Sequence, residues 1–565
     1  MKRPEHPNPQ FERKTWENLN GQWQFETDYS LSGRERGLIE AQSLDSEITL
    51  PFCPESILSG IGQTDFISCV WYKRAVNISP EQLKGRIFLH IGACDYSAQV
   101  WINAQSAGTH KGGYASFSLE ITALLKPGEN LITICAEDNV RSPLQPRGKQ
   151  SETYASRVCD YTRTTGIWQT VWLEFTPREY IKDFKITPCA AAGSVEMSVK
   201  LAGAEDFSAK VYYQGSPMGE FFISNCCQSV NFSIKLNEIH LWELGQGRLY
   251  DVELQFGQDI VHTYFGLRDI ALDQKGLMLN GRHIFQRLIL DQGFYPDGIY
   301  TAPEDASFIK DIELALAAGF NGARLHQKAF EPRFLYYCDK MGYMVWGEYG
   351  NWGMDYSDMR VLPNMLMEWL EILNRDYNHP SIIGWCPFNE TWDYAWRRQD
   401  DDMIRTVYRT TKQFDSMRPC IDTSGNFHVQ TDIFDVHDYE QNPEIFKERY
   451  DRLFKTGELF DKYSDRQIYT GEPVMVSEYG GTIIKRSDDK AWGYGQPAQD
   501  EEQFLKRYKG LTEALLSNPK MIGFCYTQLY DIEQEQNGLY TYDRKPKVDI
   551  EAVRRINIQK AAIED

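Results

Sequence analysis

The sequence predicts a multidomain α and β protein: an all-β domain, a small immunoglobulin-like β-sandwich and a C-terminal (β/α)8 barrel. Three observations carry this. The chain has 565 residues, past the size at which one hydrophobic core keeps growing, so two to four domains are expected. Short β-branched and aromatic runs, separated by turn formers, fill its front part. After Gly266 apolar strands alternate with amphipathic helical stretches, the pattern of a parallel α/β architecture.

In residues 1–180 the strand runs are Arg86-Ile-Phe-Leu-His-Ile91, Ala98-Gln-Val-Trp-Ile102, Asn130-Leu-Ile-Thr-Ile-Cys135 and Thr170-Val-Trp-Leu-Glu174, with turns such as Pro127-Gly-Glu-Asn130 between them. Residues 181–267 hold a second set, including Val195-Glu-Met-Ser-Val-Lys200 and Leu249-Tyr-Asp-Val-Glu-Leu254; fewer than about 100 residues suit a small sandwich. Residues 268–565 supply eight barrel strands: 284–290, 322–325, 343–346, 382–385, 420–423, 434–437, 474–477 and 523–526. A helix is expected over Ala306 to Ala318, opened by Thr301 and Pro303. A doubly wound sheet is the alternative, but no Gly-rich phosphate loop follows the first strand.

Charge and composition exclude some functions. A formal net charge of -20 without a basic stripe would be repelled by nucleic acid or an anionic membrane. No stretch approaches the roughly 20 apolar residues of a membrane helix, and no apolar segment follows Met1-Lys-Arg3 as in a signal peptide. The 12 cysteines form no C-x-x-C pair, so reduced thiols in a cytoplasmic protein are expected. Aromatics at 13% fit both sugar stacking and large β-rich cores.

Barrel active sites lie at the C-terminal strand ends. The fourth strand runs into Asn389-Glu390 and the seventh into Ser477-Glu478-Tyr-Gly-Gly481. Strands four and seven end on opposite sides of one pocket, and two carboxylates across a pocket are what glycosidic cleavage requires. Alternatively, each Glu pairs with a cation in a structural network. Asp291, Arg324, His326, Glu348, His437, Tyr439 and Gln528 occupy the other strand ends, and Asn389 could bond a ring hydroxyl. An Arg or Tyr near Glu478 would favour its ionised form. His326 and His437 are equally readable as structural histidines, and Trp346, Trp352 and Trp392 as core or subsite wall.

These motifs and their order resemble glycoside hydrolase family 2, which contains β-galactosidases, β-glucuronidases and β-mannosidases. Phe11-Glu-Arg-Lys-Thr-Trp-Glu-Asn-Leu-Asn-Gly-Gln-Trp23 and Thr164-Thr-Gly-Ile-Trp-Gln-Thr-Val-Trp172 are similar to the opening and closing strands of that family's sugar-binding jelly roll. Asn378-His-Pro-Ser-Ile-Ile-Gly-Trp-Cys-Pro-Phe-Asn-Glu390 resembles its acid/base signature. Tyr526-Thr-Gln-Leu-Tyr-Asp531 and Tyr542-Asp-Arg-Lys-Pro546 resemble its last strand and the loop beyond. The resemblance implies double displacement with retention, Glu478 as nucleophile and Glu390 as acid/base. It also implies that Asp160, six residues before Gly166, reaches from the jelly roll to bind sugar hydroxyls.

Departures bear on the substrate. The chain ends soon after the barrel, without the extra domains of the long β-galactosidases, and Glu348-Tyr-Gly-Asn-Trp-Gly353 lacks their Glu-x-His metal cluster; no metal or other cofactor is expected. Where β-glucuronidases carry Asn-x-Lys after strand eight, this chain has Glu533-Gln-Glu-Gln-Asn-Gly-Leu539, an acidic loop expected to repel a uronate. Lys328 could supply a cation instead. His326 lies two residues after Arg324 where the family spacing is Arg-x-x-His. The expected function is therefore an exo-acting retaining hydrolase of a small oligosaccharide or glycoside, its terminal β-linked sugar foremost a galactoside, then a uronide, mannoside or arabinoside. A transglycosylase or a non-catalytic carbohydrate-binding protein are the alternatives. A homo-oligomer is an open expectation, since exposed sheets in large enzymes often associate.

Overall fold

The structure is a computed structural model describing residues 3–485 and 491–564. Period-two burial builds the first domain: along Arg86–Ile91 every second residue, Ile87, Leu89 and Ile91, faces inward. A four-stranded and a six-stranded antiparallel sheet pack face to face over these side chains together with Leu19, Trp23, Tyr72 and Val100. The segment read as one opening strand is divided: Trp16–Asn18 joins the four-stranded sheet and Gly21–Thr27 the six-stranded one. Asn20 sits at the break, where its side chain bonds the carbonyl of Arg3 and the hydroxyl of Thr170.

The second domain is built on two strands of 20 residues, Ser194–Tyr213 and Ser216–Lys235. Ser194–Tyr213 pairs with Tyr180–Cys189 over its first half and with Tyr250–Phe256 over its second, and the register shifts between Lys200 and Ala204. One strand thus serves both halves of a sandwich closed over Val199, Phe207, Val252 and Val261.

Seven parallel strands make up most of the barrel: Gln286–Asp291, Gly322–Leu325, Met344–Glu348, Ile382–Cys386, Phe434–Asp438, Val474–Gly480 and Met521–Thr527. The first and last pair with each other, Gln286 opposite Gly523. Leu288, Met344, Ile383, Met475 and Cys525 fill the interior. The expected strand at 420–423 is reduced to a single bridge, Cys420 with Trp385, and the two-residue strand Thr423–Ser424. Asp422 explains this. Its carboxylate accepts hydrogen bonds from His428 Nδ1 (2.7 Å) and from the amides of Val429 and Gln430, so side-chain bonds replace part of a ladder. The first barrel helix spans Asp305–Ala317; Glu304 is its N-cap residue and makes no side-chain cap bond, so Thr301 and Pro303 lie before it. Among the described residues no helix is long and apolar enough to cross a membrane.

The jelly roll lies against the open end of the barrel. In its loop 138–165, the amides of Arg147 and Gly148 donate to the carbonyls of Trp352 (2.8 Å) and Gly350 (3.0 Å). Gly148 has φ +55°, and a Cβ there would lie 2.5 Å from the Gln327 carbonyl oxygen, so only glycine allows this approach.

Candidate active site

Six of the strand-end residues named from sequence converge with the two glutamates. Arg324, on the second barrel strand, is 2% exposed and spends its whole guanidinium: Nε on Glu348 (2.6 Å), Nη1 on Glu478 (3.3 Å) and the Ser477 carbonyl (2.8 Å), Nη2 on Asn389 Oδ1 (3.0 Å). The His326 ring bonds Glu348 through Nδ1 (3.2 Å), and its Nε2 lies 3.9 Å from Glu478. Tyr439 donates its hydroxyl to Glu478 Oε2 at 2.5 Å, and its ring stacks on Tyr494. Between the two glutamates stands His437, with Nδ1 2.7 Å from Glu390 and 3.5 Å from Glu478.

The ligand atoms of Glu390, His437 and Glu478 lie within 4.8 Å of one another, a spacing at which a metal ion could also be held; the hydrogen bonding through His437 already accounts for the clustering. Glu390 occupies the left-handed region at φ +49°, which a side-chain-bearing residue adopts at a cost and which turns its carboxyl toward His437 and Trp392 Nε1 (3.2 Å).

Electrostatics separate the groups. Burial alone would raise the carboxyl of Glu390, but the hydrogen bond and charge of His437 outweigh it and hold the group at about 2. Glu478 is likewise pushed up by burial, yet His437, His326 and Arg324 keep it below the usual carboxylate value. Burial disfavours the charged form of His437, and the two glutamates overcome this and raise it. Charge and hydrogen bonding within the pair Glu390–His437 thus favour a shared proton on the imidazole over the carboxyl. Asn389 Nδ2 is buried and, among the described residues, unbonded, so it is a free donor beside the pair.

Other expected site residues lie elsewhere. Asp291 accepts from the Tyr530 hydroxyl (2.6 Å) and the Gly293 amide, and burial raises it to about 6; it supports the barrel rim without reaching the glutamates. Gln528 bonds Gln292 and Asn537 and neither glutamate. Asp160 pairs with Arg147 at 3.4 Å and bonds neither glutamate. Lys328 is directed away, its ammonium bonding the carbonyls of Gly293 and Tyr300, and burial lowers it to about 7. Trp346 is barrel core, whereas Trp352 and Trp392 flank the site, bonding the Asn389 carbonyl and Glu390.

The acidic loop differs most from expectation. Glu533 accepts the Thr162 amide (3.0 Å), and Glu535 accepts the Tyr161 hydroxyl and Asn537 Nδ2 (2.9 Å). Both acids hold the jelly roll to the barrel, and burial raises the carboxyl of Glu535.

Sequence reasoning missed Lys149, whose ammonium lies 3.8 Å above the Trp352 ring. Only its position in a strandless stretch, Pro146-Arg-Gly-Lys149, could have drawn notice, because such loops often carry function.

Comparison with known proteins identifies the architecture. The profile "Glycosyl hydrolases family 2, sugar binding domain" matches residues 62–177, and "Glycosyl hydrolases family 2, TIM barrel domain" matches residues 301–561. A protein of Formosa agariphila named putative beta-glucuronidase is 26% identical over 88% of this chain, which spans 61% of its length. The beta-glucuronidase of Canis lupus familiaris is 25% identical over 95% of this chain and 89% of its own. A solved beta-glucuronidase from an uncultured Clostridium sp. superposes with a TM-score of 0.80 at 21% identity, over 96% of this chain and 98% of that one. With both domain profiles matched in order along one chain, this glycosidase belongs to glycoside hydrolase family 2.

Proposed function

We propose that this chain is a retaining exo-glycoside hydrolase that removes a terminal β-linked uronic acid from a small glycoside, with Glu478 as nucleophile and Glu390 as acid/base. The observation that carries the mechanism is the short gap between the carboxylates, whose nearest oxygens lie within 4.8 Å. Retaining enzymes hold their carboxyl groups about 5–5.5 Å apart, whereas inverting ones need roughly 6.5–9.5 Å to admit a water. Glu478, kept ionised by His437, His326 and Arg324, attacks the anomeric carbon, while Tyr439 orients its second oxygen. Glu390 passes the proton it shares with His437 to the leaving oxygen, then draws a proton from water as the glycosyl-enzyme is hydrolysed. Asn389 Nδ2 is available to a ring hydroxyl.

The residues alone favour a galactoside. Relatives named β-glucuronidase support the uronide instead, and the use of Glu533 and Glu535 in domain contacts removes the main objection to it. A panel of nitrophenyl β-glycosides covering glucuronide, galacturonide, galactoside, glucoside, mannoside and arabinoside tests the reading; turnover confined to neutral sugars refutes the uronide. Glu478→Gln should abolish turnover, and Glu390→Ala should keep activity only on leaving groups that need no proton. Equal losses on such substrates would contradict the roles.

A further inference from the structure

We infer that Lys149, supplied by the jelly roll, is the cation that receives the substrate's carboxylate and thereby sets the preference for an acidic sugar. This rests on the uronide reading above. Lys149 is 6% exposed, yet among the described residues its ammonium makes no hydrogen bond or ion pair, and it stands over the face of Trp352, 3.8 Å from the ring centroid. Burying an ammonium is expensive unless an anion or acceptor meets it. Burial disfavours the charge on Lys149, while Cys159, Glu535, Glu478 and Glu390 favour it.

The other cations near the site already have partners on the protein. Arg324 serves Glu348, Glu478 and Asn389, Arg147 binds the Gln150 carbonyl and Asp160, and Lys328 binds two carbonyls away from the pair. Lys149 is also held in place. Its own carbonyl accepts the Tyr161 amide at 2.7 Å, and Gly148 beside it is pinned against the barrel. Trp352, under the ammonium, bonds the Asn389 carbonyl, so the cation is fixed relative to the residue before Glu390. A charged site with free donors and no protein acceptor suits an anionic oxygen of the sugar.

The test compares Lys149→Met and Lys149→Arg with the unaltered protein on paired substrates, nitrophenyl β-glucuronide and β-galacturonide against β-glucoside and β-galactoside, with melting temperature as a check on folding. Lys149→Met should lower kcat/KM on the uronide by on the order of 100-fold more than on its neutral counterpart, chiefly through KM, and Lys149→Arg should restore part of the difference. A parallel fall on charged and neutral sugars, in a variant that melts normally, would overturn the assignment while leaving the uronide reading intact. If the unaltered protein turns over only neutral sugars, the uronide reading itself fails.

Discussion

Two glutamates in nearly the same surroundings would take the different tasks proposed for them because one imidazole is shared unequally between them. His437 lies 2.7 Å from Glu390 and 3.5 Å from Glu478, while Arg324 and Tyr439 attend to Glu478 alone. Activity should therefore fall on the acid side only below pH 4.5, where the depressed Glu478 takes up a proton. On the alkaline side it should fall above pH 6.5, where the raised His437 loses the proton it shares. In His437→Asn the proton must rest on Glu390, a weaker base, so the alkaline limb should move to lower pH; a pH profile of kcat/KM with an unmoved limb would exclude the sharing. Much of this cluster is legible in the sequence, because a polar residue at the C-terminal end of an apolar barrel strand is placed at the rim; Arg324, Glu348 and His437 are of this kind. Asp291 and Gln528 meet the same criterion yet bond neither glutamate, since at a strand end a side chain can turn to a neighbouring loop, as Asp291 does to Tyr530. Lys149 has no pattern to betray it. Its place depends on a contact between domains.

At the level of elements, the strands that can be read from sequence are those whose side chains are uniformly apolar, such as Ile382–Cys386 and Met521–Thr527, every residue of which is buried. The stretch at 420–423 fails because an aspartate sits in its middle, and aspartate prefers loop amides to a ladder. What holds this irregular region is the turn before it. Asp415 bonds Arg418 (2.6 Å) and Trp385 Nε1 (2.9 Å), and Arg418 reaches the carbonyls of Tyr377, His379 and Ile382. Burial opposes ionisation of Asp415, but Arg418 and Trp385 prevail and lower it from 3.8 to about 2. The pair therefore stabilises the fold fully above about pH 4, and loses this contribution as pH falls toward 2. Asp415→Asn should cost about 2 kcal/mol at neutral pH and flatten the loss between pH 4 and 2. Urea denaturation at several pH values measures both, and an unchanged pH slope would contradict the account.

Across the whole molecule, one arginine joins the two β domains. Arg13 binds Glu174 of the jelly roll (2.7 Å) and Asp259 of the sandwich (2.8 Å) in a site where all three side chains are buried. Arg13→Met would leave two buried carboxylates without their cation, a change expected to cost on the order of 3–5 kcal/mol. Calorimetry should show a lower first transition, and one that stays in place would assign the junction's stability to other contacts. The division into separate cores is legible in composition and periodicity, as the three clusters around Leu89, Val199 and Leu288 illustrate. The docking of one domain on another is not, because it rests on contacts between residues far apart in sequence, such as Arg13 with Asp259 and the jelly-roll residues Tyr114 and Trp168 packed into the barrel's hydrophobic cluster.

The pairing of Gln286 with Gly523 gives the molecule a timetable as well as a shape. A chain leaving the ribosome can complete its jelly roll and its sandwich early, while the barrel ring stays open until its last strand emerges. Glu390 is made 88 residues before Glu478, and Lys149 lies on a finished domain before the loop at Glu535 arrives. The proposed chemistry must wait until Met521–Thr527 closes the ring.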